Sequence, residues 1–225
     1  VDDIIADLDW GKNAFRKEEK DESDEVFSDE EVKLLAEYFK KNPNGKHLGL
    51  LLIFATGLRI GELSALKWED IDDGMITIRR TERSWSDPDR GFVCEVIRLP
   101  KTKAGKRRVP IPDCAIWIID ELRKLNGDGE YVFMNRGSRT RTVYFRKAMA
   151  KACDATGIKR RSPHKIRKTY ASILLDNNVG EKTVIENMGH TSINTTNESY
   201  SRLSRTNKQR REIVDSIPEF KMVGL

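Results

Sequence analysis

The chain has 225 residues, enough to bury a substantial core in one large domain or two small ones. Charged residues make up 34% and mean hydropathy is −0.60, with no apolar run of bilayer length and no charged-then-apolar leader, so a soluble protein of the cytoplasm, neither membrane-bound nor secreted, is expected. Cys94, Cys114 and Cys153 are odd in number, widely spaced and form no CxxC, which argues against both a disulfide framework and a zinc site.

The net charge of +5 conceals a division. Residues 1–31 carry thirteen Asp/Glu against four Lys/Arg, and the remainder carries thirty-seven Lys/Arg against twenty-three Asp/Glu. Residues 1–26 combine a short apolar pattern, Ile4, Ile5, Leu8, Trp10 and Phe15, with the charged run RKEEKDESDE, which reads as the end of a preceding domain and an acidic linker. The main domain is then expected over residues 27–225. Its first helix starts at Ser28, where SDEE places Glu31 three residues on in a capping box, followed by Val32, Leu35, Ala36 and Phe39 at helical spacing. After the breaker Asn42-Pro-Asn-Gly, the stretch HLGLLLIFATG is almost wholly apolar and belongs in the core.

Past Gly57 the helical pattern resumes in LRIGEL. Ile60, Leu63 and Leu66 point inward, which holds Arg59 beside a buried turn with Glu62 three residues on and within reach of its guanidinium. An ordinary surface ion pair has the same spacing. From Met75 the period changes to two: MITIRR, GFVCEVIRLP and RRVPIP are short β-rich runs read as one three-stranded antiparallel sheet. Helices are expected at about residues 113–125, 140–156, 163–177 and 180–188. The fold class is therefore α+β, mainly α-helical with one small three-stranded sheet.

Between Arg136 and Lys168 twelve Lys/Arg stand against the single acid Asp154, an electrostatic footprint for nucleic acid whose candidate contacts are Arg139, Arg141, Lys147, Arg160 and Arg161. A solvated face accounts equally for an isolated run of charge. The segment from Ser162 to Tyr200 tips the balance. In SPHKIRKTYAS, Ser162 can cap a helix and Pro163 suits its first position, so His164 and Arg167 lie near a helix start, where unpaired backbone N–H groups and the positive end of the dipole favour an oxyanion and disfavour a protonated imidazole. Ile166, Tyr170, Ile173 and Leu174 form the expected buried stripe of that helix. The next segment, EKTVIENMGH, is a short helix stopped at Gly189 with His190 just beyond, then a polar run that ends on Tyr200. Singly, each His or Tyr reads as packing. Two of the chain's three histidines nevertheless fall here, beside an arginine and ahead of a tyrosine.

HKIR, MGHTSINTT and Tyr200, in this order and spacing, resemble the second signature block of the tyrosine recombinase (phage integrase) family, and TGLRIGELSALKWEDI resembles the first. LRIGELSALKWEDI and MGHTSINTT look most like integrases of Gram-positive phages and conjugative elements. Met188 replaces the usual Leu, and Lys168 stands where a second His is common. The resemblance implies the catalytic-domain fold of that family and site-specific recombination of a mobile element through a 3′-phosphotyrosyl intermediate. It implies that Arg59, Arg167 and His190 bind the scissile phosphate, that Glu62 supports them, that His164 is the base, and that Tyr200 is the nucleophile. It puts a mobile catalytic lysine in LPKTKAGKRRVP, where Lys103 is chosen at the expected hairpin tip and Lys101 and Lys106 stay open. The implied partner is double-stranded DNA at recombination sites, in a nucleoid-associated bacterial protein. Tails such as FKMVGL commonly dock on a neighbouring protomer in this family, which gives a homo-oligomer on DNA; packing in cis is the other possibility.

No cofactor and no metal are expected, because GKRR lacks the glycine and Ser/Thr of a phosphate-binding loop and no carboxylate cluster marks a nuclease metal site. A type IB topoisomerase shares the same catalytic group, and a non-catalytic DNA-binding module would need only the basic face. The family usually carries a further N-terminal helical domain, which does not fit in residues 1–26, so the chain reads as a catalytic-domain fragment.

Overall fold

A computed structural model describes residues 25–99 and 107–189. Helix α1 (Asp29–Lys41) starts with the expected capping box: Ser28 Oγ accepts from the Glu31 amide at 3.3 Å and Glu31 Oε2 accepts from the Ser28 amide at 2.9 Å. Helix α2 (Gly45–Thr56) is apolar all round and is stable only when surrounded, and it packs against α1, α4 (Ile116–Asn126), α5 (Thr142–Thr156) and α6 (Pro163–Asp176). Leu48, Leu50, Leu52 and Ile53 are fully buried, which is worth roughly 1.5–3 kcal/mol for each side chain. The third histidine, His47, has a structural role: its Nδ1 lies 2.6 Å from the Asn42 carbonyl and its ring packs on Tyr38 and Phe39.

The short helix α3 (Ile60–Ser64) comes after Gly57, and α7 (Glu181–Met188) packs on α6 and on strand β5 (Arg107–Pro110). A three-stranded antiparallel sheet is present, but its members differ from the three expected runs. Its order is β1 (Ile71–Asp72), β2 (Met75–Ile78) and β5, while GFVCEVIR forms β4 (Gly91–Arg98) in a separate hairpin with β3 (Arg80–Asp87). RTERSWSD in β3 is polar and shows no apolar alternation, so only its pairing with β4 reveals it as a strand. A further small ribbon pairs β6 (Met134–Asn135) with β7 (Ser138–Arg139).

The buried face of α6 differs from the expected stripe. Ile166 and Tyr170 are buried as expected, but Ile173 is 38% exposed. Arg167 and Ala171 take the inward positions instead, which turns the buried face of the helix away from Ile173.

Tyr170 fixes how α2 ends. Gly57 closes α2 in the left-handed region at φ 65°, and a Cβ there would meet the Tyr170 ring at 2.3 and 2.6 Å. At Gly157, which closes α5 at φ 70°, nothing lies within 4 Å of such a Cβ. Denaturant unfolding of the two variants separates strain from collision. Gly157→Ala is expected to cost about 1 kcal/mol and Gly57→Ala roughly 2 kcal/mol or more beyond that. Equal losses would show that the Tyr170 contact does not hold the turn.

Candidate active site

Arg59 stands at the N-cap of α3, and Glu62 reaches back to it twice: Oε2 accepts from the Arg59 amide at 2.8 Å and Oε1 from Arg59 Nη1 at 2.9 Å. This is no surface pair, because Glu62 is 3% exposed. A second guanidinium completes its shell. Arg107, the first residue of β5, donates from Nη1 to Oε1 at 2.8 Å and from Nη2 to Oε2 at 2.7 Å, in the parallel two-bond geometry that a planar fork allows. Burial alone would push the Glu62 carboxyl upward, but the hydrogen bonds and charge of Arg107, with the charges of Arg167 and Arg59, outweigh it and hold the pKa at about 2.

The arginines also converge on the end of α7. Three successive carbonyls there, from Asn187, Met188 and Gly189, lie where a helix leaves acceptors unpaired and carries its negative end. Arg107 Nε donates to Asn187 O at 2.8 Å, Arg167 Nη2 donates to Met188 O, and Arg59 Nη2 donates to Gly189 O at 2.9 Å. Arg167 is 1% exposed and also donates to Gly57 O, whereas the Arg59 side chain is 41% exposed. One arginine is thus built into the framework and the other opens outward. His190 is the next residue in the chain.

His164 occupies the first turn of α6 directly after Pro163, on the solvent side. Its pKa is lowered, first by loss of hydration around the ring and then by the charges of Arg167, Lys168, Lys165 and Arg59, so the imidazole is neutral at pH 7 and free to accept a proton. Lys165 and Lys168 bind one carboxylate, Glu25, which lies in the stretch read from sequence as linker: Lys165 Nζ donates to Oε1 at 2.6 Å and Lys168 Nζ donates to Oε2. Tyr170 is buried and its pKa is raised by burial, which makes it a poor nucleophile. Lys103, with Lys101 and Lys106, and likewise His190, Tyr200 and the tail, lie outside the described residues.

The five basic candidates divide. Arg139 turns inward, donating to Glu82 and Ser64. Arg141 is half-buried with its guanidinium 5.8 Å from the centre of the Phe92 ring. Arg160 is exposed and pairs with Asp154 through bonds of 2.6 and 2.7 Å, and Arg161 donates to Glu31 at 2.5 Å while lying over Phe27. Lys147 is exposed on α5 together with Arg146 and Lys151.

Arg107 and Glu82 are missing from the sequence reading. The period of two in RRVP carries a signal for the first, since it puts Arg107 on the same inward face as Val109. Glu82 offers none, lying in a strand without apolar alternation; it is a second buried carboxylate, accepting from Ser64 Oγ at 2.9 Å, from the Thr142 amide at 3.0 Å and Oγ1 at 2.7 Å, and from Arg139. Burial raises its pKa, and these donors outweigh that and bring it to about 2. Among the described residues no group of His, Cys, Asp and Glu could hold a metal ion, and no helix is long and apolar enough to cross a membrane.

The fold is that of the tyrosine recombinase catalytic domain. It is shared with the Tn1549 transposon integrase in complex with transposon right-end DNA, at a TM-score of 0.69 and 18% identity over 85% of this chain and 65% of that one. It is shared too with the XerA recombinase, at a TM-score of 0.64 and 23% identity over 84% and 63%. The phage integrase family model matches residues 25–207, and the chain belongs to that family. A tyrosine recombinase XerC-like protein of Caldanaerobacter subterraneus subsp. tengcongensis is 33% identical over 89% of this chain and 56% of its own length, and the ICEBs1 integrase of Bacillus subtilis is 28% identical over 74% and 46%. The chain spans about half the length of the curated relatives it matches. Their names favour neither a type IB topoisomerase nor a non-catalytic DNA-binding module.

Two carboxylates held near 2 make the site sensitive to acid. A carboxylate whose folded pKa lies below its ordinary 4.5 contributes stability that is complete above that value and is lost as pH falls through the folded one. Glu62 and Glu82 each contribute on the order of 3 kcal/mol by this linkage. Urea unfolding should therefore show constant stability down to about pH 5 and a steep loss between 4.5 and 2. Glu62→Gln should flatten that loss, and a profile unchanged by it would remove Glu62 as a source.

Proposed function

We propose that this chain is the strand-cleaving domain of a site-specific DNA recombinase that integrates and excises a mobile element, with residues 27–225 forming the domain and residues 1–26 leading into it. The observation that carries this reading is the convergence of Arg59 and Arg167 on the carbonyls that immediately precede His190, with a neutral His164 on the adjoining helix start.

A phosphodiester repels a nucleophile through its own charge, so cleavage needs donors fixed on the non-bridging oxygens. Arg59 supplies a planar fork matched to phosphate, Arg167 adds its positive charge from the buried framework behind it, and His190 adds a further donor. Tyr200 attacks phosphorus after His164 takes its proton, Lys103 protonates the leaving 5′-oxygen, and the chain is left joined to the 3′-phosphate. The phosphotyrosyl ester keeps the energy of the broken bond, and a 5′-hydroxyl from another strand reverses the step. Double-stranded DNA at the recombination site is the substrate, and copies of the chain assemble on it through the tail. The protein acts in the cytoplasm on nucleoid DNA.

Covalent capture tests the reaction. Incubation with nicked duplexes from the element's ends should give a protein–DNA adduct, mapped to Tyr200 by mass spectrometry, which Tyr200→Phe abolishes while binding persists. An adduct on any other residue, or cleavage by Tyr200→Phe, would defeat the mechanism.

DNA binding has its own test. Arg139 pairs with a buried carboxylate and its reversal would destabilise the fold, so the exposed cations of α5 are the informative ones. Reversing Arg146, Lys147 and Lys151 to Glu should weaken binding to unrelated and cognate duplexes alike and reduce the dependence of log K on log salt by about one for each phosphate left without its cation. Parental affinity and slope in that variant would take α5 out of the DNA interface.

A further inference from the structure

The proposed cleavage mechanism assigns Arg107 no part, and no resemblance singles it out. Its surroundings do. Arg107 and Glu62 are both buried and meet in two bonds, so neither has a water molecule to fall back on if the other is removed. The remaining Glu62 acceptor directions go to the Arg59 amide and guanidinium, which makes one carboxylate the common partner of both arginines. The Nε–H of Arg107 donates to Asn187 O. Its guanidinium also lies flat against the end of α7: a Cβ on Gly189, which closes that helix at φ 59°, would fall 2.9 Å from Arg107 Cδ and Nη1. Any side chain at that position would displace the guanidinium or the turn. Arg107 of β5 comes directly after the lysine-bearing residues 101–106 in the chain.

We propose that Arg107 is a positioning residue for strand cleavage: through Glu62 it fixes the guanidinium of Arg59, tying it to the strand that comes after the lysine segment. Lysine cannot replace it, because an ammonium has neither the fork that meets both carboxylate oxygens nor a third donor set at the required angle. The role rests on the recombinase reading. It differs from a purely structural one in its consequence, since it acts on the rate of bond breaking at constant affinity, with Glu62 as the intermediary.

The full chain and three substitutions, Arg107→Met, Arg107→Lys and Glu62→Gln, test it on nicked end duplexes, with affinity and single-turnover adduct formation measured separately. Arg107→Met should keep its Kd within about twofold and slow adduct formation roughly tenfold or more, because misplacing a reacting geometry costs rate and not ground-state binding. Arg107→Lys should recover only part of that rate. The double variant Arg107→Met/Glu62→Gln should be no slower than Glu62→Gln alone, since residues that act through one another do not add. A parental rate in Arg107→Met, or losses that multiply in the double variant, would overturn the proposal. Should Arg107→Met lack a cooperative melting transition, Arg107→Lys carries the test by the same rate and affinity readings, and full activity there is the overturning result. If the parent chain forms no adduct at all, the recombinase reading falls and takes this role with it. If the parent forms one at Tyr200 and the Arg107 variants match it, only the role of Arg107 falls.

Discussion

A single ionised carboxylate sealed from solvent sets the terms for the rest of the site. Glu62 is buried and saturated, accepting two bonds from Arg59 and two from Arg107. An isolated carboxylate in that position would give up its charge, because desolvation costs far more than protonation does. It stays ionised because the guanidiniums reach it from two separate chain segments, and those segments are thereby obliged to stay in register. Removing the acid would leave the buried Arg107 guanidinium without its counter-charge, an outcome generally worth about 3–5 kcal/mol of destabilisation. The ion pair thus specifies geometry more than it stabilises the fold, since hydrophobic residues of equal volume could match its contribution to stability without placing Arg59 anywhere in particular.

The same economy governs the end of α7. Helices leave their last carbonyls without partners and usually turn them to water or to a closing glycine. Here the carbonyls of Asn187, Met188 and Gly189 each take an N–H from a different arginine, and the three arginines come from the start of α3, from β5 and from α6. Neutral amide acceptors orient a guanidinium without cancelling its charge, whereas further carboxylates would have cancelled it. Around Glu62 there are therefore three positive groups and one negative one, and the excess stays available to an anion. Arg59, the most exposed of the three, is placed to meet it, while Arg167 stays locked between Gly57 and Met188.

Much of this is legible in the sequence, and the rest is hidden for definable reasons. The capping box at Ser28, the apolar α2 and the Arg59–Glu62 spacing are local signals, carried by residues within a turn or two of one another. Residues 80–87 are polar, so the strand they form exists only through its partner, and of the three expected β-runs one belongs to that hairpin and not to the sheet of the other two. The inward turn of Arg167 escapes a sequence reading because arginine is counted among surface residues. Its burial depends on Gly57 and Met188, which lie 110 residues before it and 21 after it. Arg139 misleads in the opposite direction. As part of a basic run it has the look of a DNA contact, and only Glu82, 57 residues away, turns it inward. Glu25 likewise belongs by composition to an acidic linker and by contact to α6.

These long-range partners share a physical logic. Glu25, Glu62 and Glu82 are each buried, each held at about 2 and each bound by cations from a later part of the chain. A strongly basic chain has to prevent its cations from repelling its own folded state, and burying an acid against chosen ones does so locally. Arg107, Arg139, Lys165 and Lys168 are neutralised in this way. Lys147 stays out in solvent, Arg59 keeps an open flank in spite of its bonds to Glu62, and His164 is pushed toward its neutral form by loss of hydration and then by the cations around it. Selection of which charges remain active thus depends on where the acids are buried, and a count of basic residues along the sequence cannot reveal it.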